Sequence, residues 1–142
     1  MEMALEQAEM AAEIGEVPVG AVVVIDDVII SSAYNLREKT QSADAHAELL
    51  AIRLACEKMN SWRLPEADLY VTLEPCPMCM GIAINARIRR IFFGAYDAKA
   101  GACGSVVNLN DYHFNHKPEI IGGIMEKESS FLLTKFFKKL RL

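Results

Sequence analysis

Two short stretches constrain this chain more than anything else in it: His46-Ala47-Glu48 and, thirty residues after the histidine, Pro75-Cys76-Pro77-Met78-Cys79. An imidazole and two thiols can hold one metal ion between them, and three protein ligands leave a tetrahedral ion with an open corner. Structural zinc sites close with four ligands, whereas catalytic ones stop at three and bind water. A fold that uses these residues together must bring the two stretches to one place. A carboxylate at Glu48 could then move protons for whatever fills the open corner.

The surrounding pattern suggests how they meet. Met1, Leu5, Ala8 and Ala12 fall at helical spacing, with Gly15 placed to end that helix. Val19–Ile25 and Val28–Tyr34 read as two β-branched strands around an Asp26-Asp27 turn. A polar loop over Leu36–Ala43 follows, and Asp44 is the expected N-cap of a helix reaching about Asn60. Leu69–Leu73 reads as a strand, and Pro77 suits the first turn of a helix ending about Ala86, where its missing N–H costs nothing. Ile88–Phe93 predicts a further strand broken by Gly94, and Asp97–His116 a long irregular segment. Pro118–Ile121 and Lys127–Leu140 complete the series as a last strand and an amphipathic helix. Strands alternating with helices predict an α/β layered fold over a single domain, residues 1–142, with the opening hairpin making the sheet mixed. Two helix starts, each after a strand, can then meet in the crevice beyond the sheet, where open α/β folds hold ligands.

At the start of such helices the chemistry is favourable. Cys76 and Cys79 are three apart and share a face, and the helix's free N–H groups favour thiolate over thiol. Glu48 poses a difficulty, because two residues of helix is roughly 200° of rotation. It can face the same point as His46 only if both lie at the helix's very end. The alternatives are a redox C-x-x-C with an unrelated histidine, a closed structural zinc, and a first-turn glutamate that serves only the helix dipole. Leu49, Ile52, Cys56 and Met59 form one stripe, which assigns Cys56 to the core, and Cys103 lies among small residues with a structural role. His113 and His116 fall in the irregular segment and read as surface or hydrogen-bonding residues.

Composition narrows the setting. No apolar run is long enough to span a bilayer, and Met1–Glu16 carries five glutamates and no basic residue, unlike a signal peptide. Four cysteines, two of them in C-x-x-C, suit a metal in a reducing cytoplasm better than a disulfide framework. The net charge of −4 divides unevenly: residues 1–48 hold ten acids and two bases (−8), residues 49–142 nine acids and thirteen bases (+4). Bases gather at Arg87, Arg89 and Arg90, and at Lys135, Lys138, Lys139 and Arg141. That asymmetry allows either a basic face for a polyanion or two solvated helix ends.

H-x-E followed by P-C-x-x-C is the zinc deaminase signature, and the whole chain resembles the bacterial tRNA wobble-adenosine deaminases of the cytidine-deaminase-like superfamily. Beyond the two motifs the likeness rests on Glu16-Val17-Pro18-Val19-Gly20-Ala21-Val22, Asn35, Val71-Thr72-Leu73-Glu74-Pro75-Cys76, Phe93–Ala102 and Asn115-His116. The resemblance implies a three-layer α/β/α fold with a mixed five-stranded sheet and helices on both faces. It implies a cytoplasmic homodimer that converts adenosine to inosine at the wobble position of the tRNA anticodon loop. His46, Cys76 and Cys79 would bind one zinc ion per chain, with Glu48 as proton shuttle. Asn35, the backbone at Ala47, Asp97, Lys99 and an aromatic of the last helix, Phe137 or its neighbour Phe136, would contact RNA. Tyr96, Cys103 and a short segment near Asp111 depart from the family's usual residues. Two other functions share parts of this pattern: a free nucleobase or nucleoside deaminase, such as one for guanine, cytosine or cytidine, and a non-catalytic zinc-stabilised RNA-binding module. The first has no need of the basic last helix, and the second has no use for Glu48.

Overall fold

A computed structural model describes residues 1–141. Its elements run α1 (Glu2–Glu13), β1 (Gly20–Ile25), β2 (Val28–Tyr34), α2 (Arg37–Thr40), α3 (Ala47–Met59), β3 (Asp68–Leu73), α4 (Pro77–Asn85), β4 (Arg90–Ala95), β5 (Glu119–Ile121) and α5 (Glu126–Leu140). One five-stranded sheet holds all the strands in the order β2-β1-β3-β4-β5. β1 pairs antiparallel with both β2 and β3, while β3–β4 and β4–β5 are parallel. Thus β1 alone runs against the other four, and the sheet is mixed as expected.

Alternation along β1 sorts the two faces. Ala21 and Val23 point into the core with Ala47, Ala51, Ile52 and Ala55 of α3 and with Met80, Ala83 and Ile84 of α4. Gly20 faces α1, so close that a β-carbon there would collide with the Ala4 carbonyl. Helices α1 and α5 touch each other and cover that second face. The result is the three-layer α/β/α arrangement. Asp26 and Asp27 both take positive φ (49° and 61°), which a tight two-residue hairpin requires.

Four local expectations need correction. The predicted loop Leu36–Ala43 contains α2. Asp44 is not the cap of α3: His46 occupies that position, and no side-chain cap bond forms. Gly94 does not break its strand but lies inside β4, because a β-carbon there would run into Ser129 of α5. Met59, at the end of the Leu49–Cys56 stripe, is exposed, although Cys56 packs against the core as expected. The irregular segment holds only a single 3-10 turn, Leu109–Asp111, and an isolated bridge, Cys103–Asn108.

Candidate metal centre and substrate cavity

Because β2, β3, β4 and β5 share a direction, their C-terminal ends share one rim of the sheet. Asn35 follows β2, Glu74–Cys76 follow β3 and Asp97 follows β4, so residues far apart in sequence arrive together. Helices α3 and α4 both start at this rim. Their N-caps are His46 and Cys76, both with extended backbone (φ −79°, ψ 149° and φ −76°, ψ 174°). The position of His46 removes the difficulty over Glu48. A cap residue is not yet helical, so the rotation that would separate the two side chains in mid-helix does not apply. Pro77 occupies the first turn of α4, as its missing N–H allows.

His46 Nδ1 stands 3.6 Å from Cys76 Sγ and 3.5 Å from Cys79 Sγ, and the three ligand atoms all lie within 4.8 Å of one another. The hydrogen bond from Cys79 and then the imidazole hold the Cys76 thiol down at about 4. Cys79 is pushed up, first by the hydrogen bond its own S–H donates to Cys76 and then by burial. His46 is raised, first by its hydrogen bond to Cys76. Two helix N-termini converge on this trio and add their positive ends. Soft sulfur with imidazole is a donor set suited to zinc. Cys103 does not complete a fourth corner: its thiol points to Met80 Sδ at 3.7 Å, and burial pushes it up to about 12. All four cysteines are free, so this C-x-x-C is not a disulfide.

A cavity of about 180 Å³ opens beside the trio, with Val17, Val19 and Leu73 as apolar wall and Asn35, Arg37, His46, Ala47, Glu48, Glu74, Cys76, Asp97 and Ala100 around them. Glu48 is 4% exposed, and burial lifts its carboxyl to about 7. Asn35 is tied on both sides: its amide donates to the Val17 carbonyl at 3.2 Å and its oxygen accepts from the Arg37 N–H at 3.1 Å. Asp97 uses one oxygen to cap its own turn, accepting from the N–H groups of Lys99 (3.0 Å) and Ala100 (3.2 Å). Hence Asn35, Ala47 and Asp97 line the cavity, whereas Lys99 is exposed outside it. Phe137, 42% exposed on α5, also lies outside. Its neighbour Phe136 is half-buried and lines a separate groove of about 930 Å³ between α1 and α5.

Sequence reasoning missed three residues of this rim. Glu74, 2% exposed, accepts hydrogen bonds from the N–H groups of Asp97 (3.0 Å), Cys103 (3.0 Å) and Ser105 (3.1 Å) and from the Ser105 hydroxyl. Burial alone would raise this carboxyl, but those donors, Ser105 foremost, hold it below its ordinary value. Glu16, 1% exposed, accepts from the N–H groups of Glu38 (3.0 Å) and Lys39 (2.7 Å) and so fixes α2. Arg37 reaches the cavity from that helix. Glu16 and Glu74 stand at the edges of apolar runs, within two segments of the family resemblance, but neither signal gave them a role; Arg37 had none. Among the other basic residues, Arg89 and Arg90 both fork onto Asp68 at the opposite rim. Arg87 caps the end of α4 by donating to the Ile84 carbonyl, and His116 bonds the Ile88 carbonyl at 2.6 Å. These are framework contacts.

Comparisons with known proteins agree with this geometry. The model of the MafB19-like deaminase family matches residues 1–141. The tRNA-specific adenosine deaminase of Bacillus subtilis is 48% identical over 99% of this chain and 88% of its own length. That of Agrobacterium fabrum is 46% identical over 100% and 94%. A solved structure from studies of A-to-I editing by tRNA:A34 deaminases at the wobble position superposes with a TM-score of 0.91 at 46% identity, covering 94% of this chain and 97% of that one. A guanine deaminase from Nitrosomonas europaea shares the fold at a TM-score of 0.83 but is only 20% identical. By family model, full-length identity and fold together, this chain belongs to the deaminases, and among them to the tRNA-specific adenosine deaminases.

Proposed function

We propose that this protein hydrolyses adenosine to inosine at the wobble position of tRNA. The observation that carries the reading is the meeting of His46, Cys76 and Cys79 with buried Glu48 in one cavity, in a chain whose full-length relatives bear that activity as their name. His46, Cys76 and Cys79 would hold one zinc ion. Their sulfur and imidazole donors fit it, and among the described residues no fourth protein ligand joins them. Zinc bound there supplies an acidified water and a Lewis acid. Glu48 takes one proton from the attacking water and delivers it to the ring nitrogen of adenine, then carries the second, from the new C6 hydroxyl, to the departing amine. C6 thereby exchanges its C–N bond for C=O, and ammonia leaves. Asn35, held from both sides, orients the nucleoside, with Ala47 backbone and the apolar wall around the base. Asp97 offers its second carboxylate oxygen to a ribose hydroxyl; Lys99 and Phe137 contact the loop further out.

An anticodon loop suits such a cavity because its bases are already unpaired, so extruding one costs less than from a duplex. We also place the enzyme in the cytoplasm with tRNA, as a single domain acting as a homodimer. Exposed Leu54, Met59 and Trp62 are apolar surface that a second copy would cover. Among the described residues no helix is long and apolar enough to cross a membrane. The test is incubation with tRNA carrying adenosine at the wobble position, with inosine counted and free adenine, guanine, cytosine and cytidine run alongside. Turnover of a free base without turnover of tRNA would replace this reading with the nucleobase deaminase.

A further inference from the structure

Arg37 stands apart from the other arginines. It lines the cavity, and apart from His46 it is the one basic residue that does so. Among the described residues the ion pairs are those of Arg89 and Arg90 with Asp68, so no carboxylate neutralises Arg37. Among the described residues its guanidinium donates no hydrogen bond, whereas Arg87, Arg89 and Arg90 spend theirs on the framework; Arg53 and Arg63 are also without such bonds but lie away from the cavity. Yet its backbone is held firmly. The N–H of Arg37 donates to Asn35, and the next two N–H groups donate to Glu16, both acceptors being buried. A free guanidinium on a fixed backbone at the mouth of a cavity lined otherwise by Glu48, Glu74 and Asp97 offers the fork geometry that matches a phosphate.

The geometry points to Arg37 as the residue that binds a phosphodiester of the strand whose base enters the cavity. Without it, the lining would bring three carboxylates to a polyanion and no basic side chain besides the ligand His46. This inference rests on the proposed RNA substrate, and it concerns where the backbone of that RNA is gripped.

The experiment measures binding of a fluorescent anticodon stem-loop by anisotropy, alongside turnover, between about 50 and 200 mM salt. Arg37→Gln should weaken binding about tenfold or more at low salt, with KM rising and kcat nearly unchanged. The slope of log K against log salt should flatten by about 0.7, the value for one single-strand phosphate. Arg37→Lys should recover the slope and only part of the affinity, because the charge remains and the fork is lost. Lys58→Gln makes the same charge change at the far end of α3 and should leave the slope alone. A slope unchanged in Arg37→Gln, or flattened equally by Lys58→Gln, overturns the assignment. A parent that binds RNA with the expected Arg37 dependence but forms no inosine would instead overturn the proposed reaction.

Discussion

Replacing Glu74 by Gln should loosen one whole wall of the cavity, and the size of the effect follows from its bonds. One carboxylate oxygen accepts from Asp97 N–H and the Ser105 hydroxyl, the other from Cys103 and Ser105 N–H. A glutamine does best with its oxygen toward Cys103 and Ser105. Its amide group then faces the Ser105 hydroxyl, which can rotate to accept, and the Asp97 N–H, which cannot. One orphaned N–H costs about 1–3 kcal/mol, and two bonds lose the strength that a charged acceptor lends. The sum is about 2–4 kcal/mol, a large part of a typical domain's stability. It should appear as a Tm lower by roughly 5–15 °C. The sign with pH is fixed by the lowered Glu74 carboxyl. Its contribution is present above the unfolded-state value and lost as pH falls through the folded one, so parent and variant should converge in acid. Denaturant unfolding at neutral and acid pH, with amide exchange at Asp97, Cys103 and Ser105, measures this directly. A difference under about 1 kcal/mol with those three amides still protected would refute the anchoring role.

Three further outcomes are expected. Protein purified without added metal should carry about one zinc per chain; Cys76→Ala or Cys79→Ala should lose most of it, and Cys56→Ala and Cys103→Ala should keep it, as metal analysis will read. Glu48→Ala should keep zinc and fold while turnover falls about 10²–10⁴-fold or more; a variant working above about a tenth of the parent rate defeats the shuttle role. Asp97→Asn retains the oxygen that caps its turn but converts the other to a donor, so it should fold normally and lose the acceptor for a 2′-hydroxyl. Its ratio of kcat/KM on RNA to that on a DNA version of one stem-loop should fall, and an unchanged ratio removes Asp97 from the binding surface.

The sequence made the frame readable because its signals there are local. β-branched runs, Pro77 and the Asp26-Asp27 turn each act over a few residues, and the elements they announce are present within one or two positions. His46, Cys76 and Cys79 were legible for a different reason: few arrangements of a histidine and two cysteines have another use. What stayed hidden depends on approach between distant segments. Gly94 resembles a strand breaker until α5 is seen lying against it. Asp44 has the right side chain for a cap, but His46 takes that place, with its ring meeting Cys76 and Cys79 at the helix end. Glu16 and Glu74 act across about twenty to thirty residues, which no periodicity reports.

The Asp26-Asp27 turn has a practical use. It joins the one reversed strand to its neighbour and so lies on the rim away from the metal centre, together with the entries to β3 and β4. Exposed turns of small polar residues are where chains accept insertions and new termini. A fluorophore, a surface tether or a fused reader domain placed between Asp26 and Asp27 would leave the cavity rim unobstructed. The same tether on α5 would hang beside Phe137 and the terminal lysines, where a long substrate is expected to pass.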